Sequence, residues 1–150
     1  MRYLTVLLIG LIYAPRFTQT ASLQAKDQAA IVEFVQKAVV RTLNYSQGDR
    51  QSLIDAQDDF SADAWREFMA TMEGWVDSKG TPLGSSSFMP SGGAVITGDE
   101  NGLLHLTVPG VLKQSQNKST TTYQVEVDVR VGGNPMKIAH LKPIVRLRPR

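Results

Sequence analysis

At 150 residues, with 42% hydrophobic and 20% charged side chains, the chain has the length and composition of one soluble globular domain with its own core. It contains no cysteine. This excludes a thiol nucleophile, a disulfide framework, a thiolate metal site and a lipoprotein attachment site. The net charge of +2 is small, so charge alone does not predict a nucleic-acid partner.

The N-terminal segment combines an early arginine with a short apolar run at residues 3–14, followed by Pro15. Such a run is shorter than the about 20 residues that span a bilayer, and its basic start is typical of a signal peptide. We therefore interpret residues 1–25 as a signal peptide, with a short membrane anchor as the alternative. The remaining residues, 26–150, are expected to form a single exported or periplasmic domain. Membrane contact is then expected only through an uncleaved N-terminal segment.

Two helices are predicted before residue 57. Apolar side chains recur at helical spacing over residues 27–43, which indicates a long amphipathic helix. Gly48 interrupts the pattern, and a short second helix is expected from Asp49.

A third helix is predicted from Ser61, because a serine in front of an apolar run is typical of an N-cap. Phe60 and Trp65 occupy the two positions of a hydrophobic staple. Trp65, Phe68 and Met69 are interpreted as core residues. Trp75 follows a glycine near the end of this helix, and we expect it to be partly exposed.

An acidic stretch surrounds the start of the third helix. Its members are Asp55, Asp58, Asp59, Asp63 and Glu67. The stretch lacks the alternating aspartates and the glycine of a calcium-binding loop. Acidic side chains in a first helical turn are stabilised by the helix dipole. We therefore interpret these acids as residues that mark the ends of helices, and we predict no metal site.

The second half of the sequence changes to strand periodicity. Residues 77–93 are rich in Ser, Gly and Pro and predict a connecting loop with a short strand at 87–89. Asn101-Gly102 predicts a hairpin, and Asn117-Lys118 predicts a further turn. Residues 123–131 alternate valines with polar side chains, the pattern of a half-buried antiparallel strand. Pro143 predicts an edge position or a bulge in the last strand.

The order of elements predicts an α+β domain with about three helices packed on one face of a curved, four-stranded antiparallel sheet. No serine-nucleophile elbow or phosphate-binding glycine loop is present. His105 and His140 are interpreted as ordinary strand histidines. We therefore predict no catalytic residue and no cofactor.

Basic residues cluster at the C-terminus. They are Lys142, Arg146, Arg148 and Arg150. Their charges can keep an edge strand soluble or can contact a phosphate surface. We favour the first interpretation and expect no nucleic acid as a partner.

The helical region resembles the IcmL (DotI) family of the Dot/Icm type IV secretion and conjugation machinery. The resemblance is carried by a spaced set of apolar and aromatic residues. They are Tyr45, Leu53, Ala56, Phe60, Ser61, Trp65 and Phe68. The later strand region, with its short hairpin, polar turn and long alternating strand, is also similar to that family. Full family members carry a cytoplasmic segment and a membrane span, whereas the apolar run here is short.

This resemblance implies a periplasmic domain like that of the VirB-type assembly factors, with nuclear-transport-factor-like architecture, that acts through protein partners. The leading hypothesis is therefore a non-enzymatic, exported interaction domain, and self-association stays open. The alternative is a small-molecule binder or a lyase- or isomerase-type enzyme on the same cone-shaped fold. An enzyme of that kind needs Tyr45, Tyr123 or His140 to point into a pocket beside an acid.

Overall fold

The computed structural model describes residues 25–116 and 118–145. The segment interpreted as a signal peptide therefore lies outside the described residues, apart from Ala25, and so does Asn117 of the predicted turn. The chain divides into two compact units, residues 1–31 and 32–150. Of the first unit, only the opening turns of the first helix are described. Within the described ranges, no helix combines the length and apolarity needed to cross a bilayer.

The second unit has α+β architecture. In chain order the described elements are α1 (Ala25–Leu43, which begins in the first unit), α2 (Arg50–Ile54), a short 3-10 helix (Gln57–Asp59), α3 (Ala62–Thr71), β1 (Ser86–Pro90), β2 (Val95–Glu100), β3 (Leu103–Gln114), β4 (Ser119–Arg130) and β5 (Ile138–Val145). All strand pairs are antiparallel.

The sheet contains five strands in the described residues, so the prediction of about four was wrong. One edge of β3 pairs with β1 through its C-terminal half and with β2 through its N-terminal half. The other edge of β3 pairs with β4 along its whole length, and β5 completes the order. The additional strand is β1, which corresponds to the short strand predicted at 87–89 within the Ser- and Gly-rich segment; that strand was not counted as part of the sheet.

The core lies on one face of β3 and β4. Leu104, Leu106 and Val108 alternate with less buried residues along β3 and are at most 2% exposed. They stand opposite Val129, Val127 and Val125 of β4, each fully buried. Such cross-strand apolar pairs fix the register, because a slip of one residue would turn the whole set toward solvent.

The helix α1 contributes Val35 and Val39, both fully buried. Its last turn is closed by Asn44, whose Nδ2 donates to the carbonyl of Val40 at 2.6 Å. The Asn44 Oδ1 also accepts from the backbone N–H of Phe88 in β1 at 3.3 Å. One side chain thereby ends the helix and ties it to the edge of the sheet.

The second helix begins as predicted. Gly48 adopts a φ of +75°, a conformation that glycine reaches without a Cβ penalty. The Asp49 carboxylate caps α2 by accepting from the N–H groups of Gln51 and Ser52. Leu53, inside this helix, is fully buried.

The predicted N-cap and staple of the third helix are confirmed. Ser61 Oγ accepts from the backbone N–H of Ala64 at 3.2 Å, and the rings of Phe60 and Trp65 meet edge to face at 5.3 Å. Phe68 is 3% exposed. The interpretation of Trp65 and Met69 as core residues was wrong, because both are only half-buried. Trp65 packs over Phe60 at the start of the helix, and part of its indole remains exposed to solvent.

β3 continues through Pro109, where it changes its partner on one edge. Val95 of β2 pairs opposite Thr107, and Pro90 of β1 pairs opposite Gly110. Pro109 lies between the two partners, so its missing N–H interrupts neither ladder on that edge. Its carbonyl accepts from the N–H of Ser91 at 2.9 Å.

The predicted Asn101-Gly102 hairpin and an edge position for Pro143 are also found. Asn101 and Gly102 have φ values of +54° and +76°, the type I′ geometry that suits a two-residue hairpin. Pro143 lies in β5 at the free edge of the sheet. The alternating strand spans Ser119–Arg130 as β4.

Replacing Ser61 with alanine is expected to lower the free energy of unfolding by about 1 kcal/mol, because the Ala64 N–H loses its cap. Urea denaturation followed by circular dichroism measures the change. Ser78→Ala is the matched control, since Ser78 is an exposed loop serine. Equal stability of the two variants would contradict the capping role.

Gly110→Ala is expected to destabilise the fold by roughly 1–3 kcal/mol, the usual cost of overpacking. A Cβ at this position would stand 2.3 Å from the Phe88 ring and 2.7 Å from the Met89 carbonyl oxygen. At Gly92 the nearest described atom lies at 3.4 Å, so Gly92→Ala serves as the control. Thermal melting of both variants tests the close approach, which is refuted if they melt together.

Candidate functional site

The acidic stretch does not converge on one point. Asp59 Oδ2 pairs with Arg41 Nη1 of α1 at 2.6 Å, while Asp63 pairs with Arg66 within α3 at 3.3 Å. No group of three or more potential metal ligands occurs among the described residues. The Arg41 pair was not predicted, since its partners are 18 residues apart. It fastens the 3-10 helix to the long first helix.

Glu67, the last acid of the stretch, faces β5. Its Oε2 lies 3.3 Å from Nδ1 of His140. Next to this pair, the Ser61 N–H donates to the carbonyl of Ile138 at 3.0 Å, so α3 runs beside the edge strand. Both side chains of the Glu67–His140 pair are about half exposed or more. The pair is therefore a surface contact, and exposed pairs contribute little to stability.

His105 forms the second histidine–carboxylate pair. Its Nδ1 hydrogen-bonds to Oδ1 of Asp128 on the neighbouring strand, and both residues line a polar cavity of about 270 Å³. The hydrogen bond from Asp128 raises the pKa of His105 above its ordinary value of 6.5, and Glu100 and Asp99 add smaller electrostatic contributions. The pair lies on the face of the sheet opposite the Leu and Val core.

A larger and more apolar cavity opens on the core side of the sheet. Its volume is about 400 Å³, and we call it the Trp75 cavity. Its aromatic lining consists of Tyr45, Phe68, Trp75 and Tyr123. These residues come from the chain after α1, from α3, from the loop after α3 and from β4. The cavity therefore lies where the ends of several elements meet.

The loop after α3 holds Trp75 in place. The Leu83 N–H donates to the carbonyl of Trp75 at 2.9 Å, and the Asp77 N–H donates to the carbonyl of Thr81 at 2.9 Å. The Asp77 carboxylate accepts from the N–H groups of Thr81 and Lys79, which lowers its pKa. Trp75 is half-buried, as predicted.

Few polar groups line the Trp75 cavity. They are Thr71, Ser86, Gln114 and Lys142 together with the two tyrosine hydroxyls. Burial raises the pKa of Tyr45, and the nearby side chains of Ser86 and Gln114 partly offset this increase. Ser86 is only 6% exposed, and no hydrogen bond of normal geometry satisfies its Oγ within the described part of the chain.

Sequence reasoning identified part of this lining. Tyr45 and Tyr123 reach the cavity, whereas His140 does not line it. Ser86 and Lys142 were not recognised as cavity residues. Ser86 lies in a segment whose composition indicates a linker, and Lys142 belongs to a basic cluster that indicates solubility. The other members of that cluster, Arg146, Arg148 and Arg150, lie outside the described residues.

Two solved structures share this fold. The chain is similar to an IcmL-like type IV secretion system protein from Legionella pneumophila, with 13% identity, a TM-score of 0.65, and 83% of this chain and 96% of that chain covered. It is similar to the same degree to the periplasmic domain of DotI, with 13% identity and a TM-score of 0.64. The match covers 82% of this chain and 99% of that chain. No family model matches the sequence, and no curated protein matches it. The structural neighbours are those that the sequence resemblance predicted.

Asp128→Asn is expected to lower the pKa of His105, since the amide cannot stabilise the imidazolium as the carboxylate does. The raised pKa in the folded protein means that this pair stabilises the fold fully below pH about 6.5. That contribution is lost as the pH rises through the raised pKa. Titration of the His105 ring protons by NMR measures the effect.

Asp58→Asn provides the control, because Asp58 is an exposed carboxylate of the 3-10 helix and does not pair with His105. An unchanged His105 titration curve in Asp128→Asn would show that the pair does not set this pKa.

Proposed function

We propose that this chain is a non-enzymatic, exported domain that works through protein contacts in a type IV secretion or conjugation apparatus. The observation that carries the proposal is the common fold with the IcmL-like protein and the DotI periplasmic domain, which extends over more than four-fifths of this chain. The sequence resemblance over Tyr45–Phe68 supports the same assignment independently of the strand region.

The proposal includes the location. The DotI domain is periplasmic by its description, and we propose the same compartment for this domain. In this proposal residues 1–25 are a signal peptide or a short anchor. The architecture is proposed to be of the nuclear-transport-factor-like, VirB-type kind, with helices covering one face of the sheet.

The enzyme alternative receives less support. It needs an acid beside an inward His140 or an inward tyrosine. Tyr45 and Tyr123 do point inward, but the described lining of the Trp75 cavity includes neither a histidine nor a carboxylate. General acid–base catalysis requires such groups within hydrogen-bond reach of the substrate. A non-enzymatic role agrees with this arrangement.

A patch on the outer face of the sheet supplies a surface for a protein partner. Met89 is 71% exposed and Val95 is 56% exposed. Met89 stands opposite Val111, and Val95 stands opposite Thr107, on the same edge of β3. We call Met89, Val95 and Val111 the outer patch. Large apolar side chains that remain exposed together are typical of interaction sites, and we propose that an apparatus subunit covers them.

We expect affinity purification of the tagged full chain from detergent-solubilised envelopes of its native host to recover at least one secretion-system subunit. Met89→Glu should reduce that recovery several-fold, because a desolvated carboxylate in an apolar contact is costly. Quantitative mass spectrometry of the eluates measures the difference.

Ser91→Glu is the matched control. It introduces the same charge at a neighbouring exposed position outside the outer patch. If no subunit is recovered with the unmodified chain, the proposed function is wrong. If recovery is normal but Met89→Glu leaves it unchanged, the partner contacts another surface.

A further inference from the structure

The Trp75 cavity has the size and lining of a small-molecule site. Its volume of about 400 Å³ lies within the range of roughly 300–1,000 Å³ that is usual for ligand pockets. The wall is mainly aromatic and aliphatic, with Phe68, Trp75 and Tyr123 on different elements. Such a wall fits a flat or elongated apolar body better than it fits water.

A buried hydroxyl in this wall lies beside the Tyr45 side chain but forms no hydrogen bond of normal geometry among the described residues. Ser86 is 94% buried, since its exposed fraction is 6%, and its Oγ is unsatisfied among the described residues. Buried polar groups are nearly always paired, because leaving one unpaired costs free energy. The Ser86 backbone is fixed by two hydrogen bonds with Tyr45, at 2.9 and 3.1 Å. The hydroxyl is therefore a fixed polar part of the wall, and its Oγ has too little accessible surface for a ligand to contact it directly.

The described residues that line the cavity include a positive charge and no negative charge. Lys142 brings an ammonium group to the cavity, and no Asp or Glu is among the described residues that line it. Lys142 forms no ion pair within the described part of the chain; its cross-strand neighbour is Glu126. A cation without a partner beside an apolar cavity favours a ligand with an anionic end.

From the volume, the aromatic wall and the positive charge of the cavity we propose that the Trp75 cavity binds a small amphipathic carboxylate, with its apolar body against Trp75 and Phe68 and its carboxylate directed to Lys142. The inference stands apart from the proposed secretion role, since it depends only on the cavity. It also involves no chemical step. The site is one of binding.

Octanoate is a suitable probe, and octan-1-ol is its control, because the two share a chain length and differ in charge. Trp65→Phe leaves Trp75 as the one remaining tryptophan of the two in the sequence, so fluorescence reports on the cavity. We expect octanoate to change the Trp75 emission saturably and to bind at least about tenfold more tightly than octan-1-ol, as expected for a charge-assisted contact.

Two substitutions separate ligand binding from folding. In the Trp65→Phe background, Lys142→Gln should weaken the affinity for octanoate about tenfold and leave the affinity for octan-1-ol unchanged. Lys79→Gln, at an exposed loop position, should alter neither affinity.

The absence of a saturable octanoate signal would overturn the proposal. Equal affinity for octanoate and octan-1-ol would overturn the carboxylate assignment, and so would an unchanged affinity in Lys142→Gln. None of these outcomes bears on the recovery of secretion-system subunits, so the two proposals fail separately.

Discussion

The apolar face shared by β3 and β4 is the constraint on which the rest of the structure depends. Leu104, Leu106 and Val108 are locked against three valines of β4, and all six side chains are almost fully withdrawn from water. Burial of such side chains is the main favourable contribution to folding. Because this pair of strands is long and its register is fixed, it sets where β1, β2 and β5 join and which residues face outward.

The helical region is organised around that sheet by contacts at the ends of its elements. Asn44 joins the end of α1 to β1, and the Ser61 N–H joins the start of α3 to β5. The Asn44 contact lies near the Trp75 cavity, since Tyr45 and Ser86 of the adjoining segments line it. The Ser61 contact lies at the start of α3, whereas Thr71 and Met72 at the end of α3 line the cavity.

The sequence specified those features that depend on local chemistry. The Ser61 cap, the Asn101-Gly102 turn and the alternating valines of β4 each follow from a few neighbouring residues. The strand count was wrong because the short strand predicted at 87–89 was not assigned to the sheet. Its composition resembles that of a linker, and only its pairing with β3 makes it a sheet strand. The pairs Arg41–Asp59 and Glu67–His140 join residues 18 and 73 positions apart. No periodic pattern in the sequence predicts such long-range contacts, and none predicts the volume of a cavity between side chains.

The half-burial of Trp65 shows a related limit. Helical periodicity correctly placed it next to Phe60 and Phe68, and its ring lies 5.3 Å and 5.5 Å from theirs. Periodicity indicates which side of a helix is apolar, but it does not show how far the next element extends over that side. Here Phe68 is only 3% exposed, whereas Trp65, three positions earlier on the same helix, is half-buried.

Both proposed surfaces depend on the short strand β1. Its alternation directs Ser86 toward the Trp75 cavity and Met89 toward the outer patch. β3 repeats the arrangement with Leu112 on the inner face and Val111 on the outer face. Since successive side chains of a strand point to opposite faces, one strand pair contributes different residues to the cavity and to the proposed docking surface. The two proposed sites can therefore coexist on the fold that this chain shares with its structural neighbours at 13% identity.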